Sequence, residues 1–251
     1  ETKETENITE ENKGYDTNPA FSSGGALAWL QMKADGYEAD KNDIVVLENG
    51  VKQNLTANWD GTVNSFLWAK NGEEIYFTAP VDGTIQLFKV NYPGKKRIAA
   101  VVEQLSEGQF DVTGIIAEKK KELLVTRTDM NHAAEVFRFN LKKKTFEQLT
   151  NVNTELYAAL DLPKVEKRYV STTDGKKMLV WVILPPDFDA SKKYPTLLYA
   201  QGGPQSALSQ FYSFRWNFQL MASQGYIVVA PNRRGMPGHG VARNEDISKD
   251  W

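Results

Sequence analysis

The chain has 251 residues, 41% hydrophobic and 25% charged, with a formal net charge of -2 at pH 7. This length and balance are ordinary for one large or two modest globular domains. The near-neutral charge argues against a general nucleic-acid binder, because phosphate binding needs clustered Lys and Arg. The lack of cysteine excludes disulfide bonds and thiolate metal sites. No run approaches the roughly 18 apolar residues that a membrane span needs.

The first 160 residues predict short strands separated by turns, without a convincing amphipathic helix. A short leading motif recurs along this half, and its apolar residue is Ile8, Leu55, Ile98 and Leu149 in turn, at intervals of 47, 43 and 51 residues. A period in the forties, with about four short strands in each unit, is typical of β-propeller blades. We therefore predict that these residues belong to a propeller.

Turn residues separate the strands within each unit. Asn71-Gly72 is a hairpin dipeptide, and Asp82-Gly83 joins two further predicted strands, 75–79 and 84–90. Each unit is too thin to bury both of its faces, so it must stack on its neighbours. About three units cannot close a ring, because a propeller needs at least four blades. The alternative is a β-sandwich whose spacing is coincidental.

The pattern changes near residue 160. A strand pair with Asp174-Gly175 between its strands is followed by an apolar run, a segment with helical spacing and a second apolar run. We expect the apolar runs to be strands buried on both faces. Strand, helix and strand with short connections indicate an α/β layer. The predicted elements are strands at Lys167–Thr172, Met178–Leu184, Tyr194–Ala200 and Tyr226–Ala230 and a helix over 209–223.

A Gly-Gly-Pro turn follows the third of these strands, in the sequence Gln201-Gly202-Gly203-Pro204. Two glycines let main-chain N–H groups approach a ligand without an intervening side chain. An N–H group that stabilises an oxyanion contributes roughly 3–4 kcal/mol, and in α/β-hydrolases one donor comes from the loop after the third strand. We predict Gln201, Gly202 and Gly203 as catalytic residues, with Gly202 or Gly203 donating and Gln201 in a secondary role. The alternative is a plain tight turn.

Three segments, 194–204, 225–235 and 238–240, resemble the prolyl oligopeptidase family of serine peptidases, and most closely its bacterial dipeptidyl-peptidase V and acylaminoacyl-peptidase branch. The resemblance implies an N-terminal β-propeller followed by a C-terminal α/β-hydrolase domain. It therefore predicts that residues 1–160 are the C-terminal blades of a partial propeller. Residues 161–251 would be the N-terminal half of the hydrolase domain, and the chain would be a fragment. One departure is Gln201, where many acylaminoacyl-type relatives have His.

The sequence does not contain the catalytic triad that this resemblance implies. In α/β-hydrolases the nucleophile lies in a Gly-x-Ser-x-Gly elbow and is followed by the acid and then the histidine. No such elbow is present, and His132 and His239 come too early in the chain. We expect the triad to lie beyond Trp251 and this chain alone to be inactive. Arg233 and Arg234 are candidate substrate-binding residues for a carbonyl or carboxylate; alternatively, they pack the loop through hydrogen bonds to the backbone.

The leading functional hypothesis is a serine exopeptidase that releases dipeptides or acylated residues from the N-termini of oligopeptides. The alternatives are an α/β-hydrolase esterase and a non-catalytic propeller that binds proteins. Oligopeptides are the expected partners, together with a second copy of the hydrolase domain in a homodimer, but not nucleic acid or a membrane. We expect no cofactor and no metal, and the resemblance favours a periplasmic or secreted protein.

Overall fold

The structure is a computed structural model that describes residues 3–94, 98–203 and 206–248. These residues form four sheets of four strands each, together with three short helices. Among these helices, none has the length and apolar character needed to cross a membrane.

The first three sheets are antiparallel, and in each of them every strand pairs with the next along the chain. The first sheet lies between Ile8 and Leu55, and the second begins after Leu55, as the spacing predicts. The second sheet extends past Ile98, however, because its last strand begins at Val102. The strands are β1 (Asp16–Phe21), β2 (Leu27–Gln31), β3 (Asp43–Glu48), β4 (Val51–Asn54), β5 (Ser65–Trp68), β6 (Glu74–Val81), β7 (Thr84–Asn91), β8 (Val102–Gln104), β9 (Asp111–Lys119), β10 (Glu122–Asp129), β11 (His132–Asn140) and β12 (Thr145–Gln148).

The β6–β7 hairpin turns at the predicted dipeptide. Asp82 has φ +46° and Gly83 has φ +74°, and positive φ at both central residues is the geometry of a turn that matches the twist of a hairpin. A Cβ on Gly83 would lie 3.0 Å from the methyl carbons of Leu179. The turn therefore needs glycine both for its backbone conformation and for its contact with the second half of the chain.

The fourth sheet has the strand order β13-β14-β16-β15. The neighbouring pairs β13–β14 and β14–β16 are antiparallel, whereas the pair β16–β15 is parallel. One helix, α2, connects the parallel pair. The elements of this half are β13 (Lys164–Ser171), β14 (Lys177–Leu184), β15 (Thr196–Leu198), α2 (Phe218–Ser223), β16 (Ile227–Pro231) and α3 (Val241–Glu245), preceded by α1 (Thr154–Ala158).

The predicted helix over 209–223 is wrong in its first nine residues, because α2 begins only at Phe218. The Asn217 side chain accepts the Leu220 N–H at 2.9 Å and so caps the helix there. Upstream, the Gln210 N–H donates to the Asp111 carboxylate at 3.1 Å, a contact with the first half of the chain. This tertiary contact holds the segment before α2 outside the helix.

The prediction that Tyr194–Ala200 forms a strand buried on both faces is also wrong. The strand is only three residues long, and Leu198 is 68% exposed. The reason is its position, since β15 is an edge strand of the described sheet and pairs with β16 alone. By contrast, Val228 and Ala230 of β16 are fully buried.

The core is divided among clusters that join neighbouring sheets. One lies between the first and second sheets and another between the second and third. A third surrounds the buried Trp181 of β14, and it includes Met130 from the β10–β11 turn. Because Met130 packs with residues of the fourth sheet and α2, the two halves of the chain share a hydrophobic core. This contact holds the third sheet against Leu208 and Met236, which lie in the loops that follow β15 and β16.

Candidate active site

The loop after β15 carries the predicted catalytic residues Gln201, Gly202 and Gly203. The Gln201 side chain donates from Nε2 to the Ser206 hydroxyl at 2.5 Å. Both glycines are exposed, and a Cβ on Gly202 would meet no atom within 4 Å. Gly203 has φ +69°, a conformation that favours glycine. Pro204 of the predicted motif lies outside the described residues. The loop therefore presents glycine main chain to its surroundings, while Gln201 is engaged with its own loop.

Arg233, in the loop after β16, binds the main chain of this glycine loop. Its Nη2 donates to the Gly203 carbonyl oxygen at 2.9 Å and to the Gln201 carbonyl oxygen at 3.2 Å. A guanidinium presents its donors in a fixed planar arrangement, so two such bonds set the position of the peptide groups that they contact. This is the geometry of the alternative in which the arginine packs the loop. Arg234 instead contacts the Asp174 carboxylate at 3.3 Å.

A buried asparagine anchors the continuation of the loop. Asn232 is fully buried, accepts the Leu208 N–H at 2.9 Å and donates to the Leu208 carbonyl oxygen at 2.8 Å. The Trp181 indole N–H donates to the same oxygen at 2.9 Å. These two bonds satisfy both main-chain polar groups of the buried Leu208. Consecutive residues of one loop, Asn232 and Arg233, thus hold both ends of the segment from Gln201 to Leu208.

A buried carboxylate in the first half of the chain fixes the next two residues of this segment. Asp111 accepts the Ser209 hydroxyl at 2.6 Å and the Gln210 N–H at 3.1 Å, and it also accepts the Ile85 N–H at 2.8 Å. Burial raises the pKa of Asp111 to about 6, although these three hydrogen bonds act in the opposite direction. Sequence reasoning missed Asp111, because a lone Asp after a Gly-containing turn gives no signal of burial.

The anchored segment forms one wall of a cleft between the second sheet and the fourth. The cleft has a volume of about 440 Å³. Pro80 and Ile85 of the β6–β7 hairpin line one side, and Gln201, Tyr199 and Phe211 line the other. Clefts that are mostly apolar with a few convergent polar groups are typical ligand sites. The predicted catalytic loop therefore borders a space large enough to hold part of a small substrate.

The two histidines lie in separate environments. The His132 Nδ1 lies 2.8 Å from the Asp129 carboxylate at the β10–β11 turn. Burial lowers the pKa of His239, whose Nδ1 lies 3.9 Å from Asp82. Across the residues that the structure describes, no serine hydroxyl is hydrogen-bonded to either histidine ring, and no group of three or more His, Asp or Glu could hold a metal ion.

Comparison with known proteins connects this arrangement to serine peptidases. The model of the prolyl oligopeptidase family matches residues 212–251. Dipeptidyl-peptidase 5 of Porphyromonas gingivalis is 41% identical over 250 residues, covering 98% of this chain and 36% of that protein. Dipeptidyl-peptidase 5 of Schizosaccharomyces pombe is 29% identical, over 95% of this chain and 34% of that protein. The resemblance inferred from the motifs is confirmed.

Solved structures of peptidases have a fold similar to that of this chain. An acylaminoacyl peptidase of Pyrococcus horikoshii superposes with a TM-score of 0.75 at 21% identity, over 91% of this chain and 34% of that one. Dipeptidyl peptidase 4 of Porphyromonas gingivalis superposes with a TM-score of 0.68 at 21% identity, over 94% of this chain and 34% of that one. The chain spans about a third of the length of the relatives it matches.

Proposed function

We propose that this chain, which belongs to the prolyl oligopeptidase family, is part of a serine exopeptidase that releases dipeptides or acylated residues from the N-termini of oligopeptides. In this proposal residues 1–160 are blades of a β-propeller and residues 161–251 begin an α/β-hydrolase domain. The parallel pair of β15 and β16, connected through α2, supports the second assignment, because a strand, a helix and a parallel strand form the unit of an α/β domain. The three antiparallel four-stranded sheets support the first.

The observation that carries the proposal is the position of the Gln201–Gly203 loop. It follows β15, the third strand of the fourth sheet, and it borders the cleft against the β6–β7 hairpin. In α/β-hydrolases the loop after the third strand supplies an oxyanion donor. We propose that the main-chain N–H of Gly202 or Gly203 is this donor. A peptide bound in the cleft would then have its scissile carbonyl at the loop.

In this mechanism the chain's own residues position the peptide groups before the reaction. Donors that are fixed in advance stabilise developing charge without reorganising during the reaction. Arg233 holds the loop through the carbonyl oxygens of Gln201 and Gly203, and Asn232 holds it at Leu208. We propose that Arg233 acts on the loop and not on the substrate. Arg234 remains a proposed contact for a substrate carbonyl or carboxylate at the edge of this site.

The experiment is an assay of the full-length protein on three chromogenic substrates. These are a dipeptidyl p-nitroanilide with a free N-terminus, an N-acetyl aminoacyl p-nitroanilide and p-nitrophenyl acetate. The proposal predicts cleavage of at least one anilide, with inhibition by a serine-directed fluorophosphonate. Turnover of the ester alone would contradict the proposal and favour an esterase. No turnover of any substrate would favour a non-catalytic binding protein.

A further inference from the structure

A second cavity, separate from the Gln201 cleft, lies against the third sheet. Its volume is about 510 Å³, and it shares no lining residue with the first cleft. The residues that matter for its chemistry come from β10, β11 and α1: Arg127, Asp129, His132, Glu135, Phe137 and Tyr157.

Arg127 is the cation of this cavity, and aromatic rings surround it. Its guanidinium carbon lies 3.8 Å from the ring centroid of Phe110, 5.1 Å from that of Phe137 and 5.2 Å from that of Phe146. Burial lowers the pKa of Arg127. Within the described part of the chain, the Arg127 guanidinium takes part in no hydrogen bond or ion pair. A partly desolvated cation therefore borders the cavity without a protein acceptor for its N–H groups.

The acidic groups of the cavity, by contrast, already have partners. Asp129 accepts the Asn131 N–H at 2.8 Å and contacts the His132 ring. Glu135 is only 9% exposed, accepts the Val152 N–H at 2.9 Å and also accepts the Thr150 hydroxyl. Asp129 affects Arg127 only through longer-range attraction. Neither acid neutralises the guanidinium by contact, so an anion that enters the cavity would not have to displace one.

We propose that this cavity binds a small molecule through one carboxylate, which the Arg127 guanidinium holds by paired hydrogen bonds. The planar guanidinium matches the geometry of a carboxylate, and its N–H groups have no side-chain or main-chain acceptor among the described residues. Partial burial strengthens the attraction. The nearby Asp129 and Glu135 disfavour a second negative charge, which selects a carboxylate over a phosphate. The site is independent of the proposed peptidase activity.

The test is an NMR titration of the 251-residue chain labelled with ¹⁵N. It follows the Nε–Hε resonance of Arg127 in the native chain and the main-chain N–H resonances of His132 and Ala133, which line the cavity, in the native chain and both variants. The probes are N-acetylglycine, its neutral matched control N-acetylglycinamide, and inorganic phosphate. We expect N-acetylglycine to bind about tenfold or more tightly than the amide, since a hydrogen bond to a charged group contributes that much. Arg127→Met, which retains an unbranched side chain against the rings, should weaken N-acetylglycine about tenfold or more.

Arg127→Lys is the second variant, and it keeps the charge but loses the paired geometry. It should bind N-acetylglycine more weakly than the native chain, and this comparison holds even if Arg127→Met does not fold. Equal binding of N-acetylglycine and its amide would overturn the proposal. So would N-acetylglycine binding that is unchanged in a folded Arg127→Met or Arg127→Lys chain, and phosphate binding tighter than N-acetylglycine.

Discussion

The guanidinium of Arg233 lies 2.9 Å from the carbonyl oxygen of Gly203, with its Nη2 donating across two loops that are 30 residues apart in sequence. Because the same nitrogen also donates to the Gln201 carbonyl oxygen, the contact sets the orientation of the intervening peptide groups. A displacement of about 1 Å in a catalytic group can cost about 10²-fold in rate. The proposed oxyanion loop therefore depends on a residue that need not touch the substrate.

Arg233→Met in the full-length enzyme should lower kcat by about 10- to 100-fold with a smaller change in KM, because the loop loses its two hydrogen bonds. The measurement is steady-state kinetics on the best p-nitroanilide substrate. Arg168→Met is the matched control, since Arg168 pairs with Glu166 on β13 and does not line the cleft. A rise in KM at unchanged kcat for Arg233→Met would instead assign Arg233 to substrate binding.

Gln201→Ala should lower kcat by less than about tenfold. The Gln201 amide nitrogen already donates to the Ser206 hydroxyl, so we expect it to support the loop and not the oxyanion. The loss of a true oxyanion donor typically costs about 10²–10³ in kcat. The same kinetic assay therefore separates the two roles, and a loss of about 10² or more would make the Gln201 side chain the donor.

Gly203→Ala should destabilise the 251-residue chain by about 1–2 kcal/mol, because a Cβ is unfavourable at a left-handed φ. Gly203 has φ +69°. Gly202→Ala is the control, since a Cβ there meets no atom within 4 Å, and we expect a change within about 0.5 kcal/mol. Urea denaturation gives both values. Equal losses for the two variants would show that the backbone conformation of Gly203 is not the cause.

The raised pKa of Asp111 predicts that the stability of the folded chain depends on pH. Its pKa is about 6 in the folded chain against an ordinary value of 3.8, so between these values the folded state binds more protons than the unfolded state. The contribution of Asp111 to the free energy of unfolding is therefore most favourable below about pH 4. It decreases by about 3 kcal/mol as the pH rises through 6.

Asp111→Asn cannot titrate, so its free energy of unfolding should rise relative to that of the native chain by up to about 3 kcal/mol between pH 4 and pH 7. Urea denaturation across this range measures the difference. Ser209→Ala retains the carboxylate and removes one donor that lowers its pKa, so its stability should fall with rising pH at least as much as that of the native chain. A difference between Asp111→Asn and the native chain that does not change with pH would contradict the buried-carboxylate account.

Local patterns predicted much of the fold. One four-stranded sheet follows Ile8 and another begins after Leu55, and Asp82-Gly83 forms the expected hairpin turn, because such signals depend on neighbouring residues. Ile98 does not mark a sheet boundary, since the last strand of the second sheet begins at Val102. The start of α2 and the exposure of β15 were mispredicted, since tertiary contacts and sheet position decide them. Local sequence carries no information about such contacts.

In the candidate site, too, the sequence indicated the residues that have a local signal and missed the contacts between distant residues. Glycines after a strand indicate a main-chain site, and this local pattern is the reason for proposing Gln201–Gly203. The Asp111 contact with Ser209 joins residues 98 apart in sequence, which no local pattern reveals. Arg233 was found as a candidate residue, but its hydrogen bonds to the loop carbonyls, which support the proposed packing role, are visible only in the structure.

The most direct test of the oxyanion loop is a crystal structure of the full-length enzyme with a peptide boronate bound to its nucleophile. The tetrahedral adduct places an oxygen where the oxyanion forms. We predict that this oxygen lies about 2.7–3.1 Å from the main-chain nitrogen of Gly202 or Gly203, with the Arg233 contacts to the loop retained. An oxygen that contacts only the Gln201 side chain, or no group of this loop, would contradict the account.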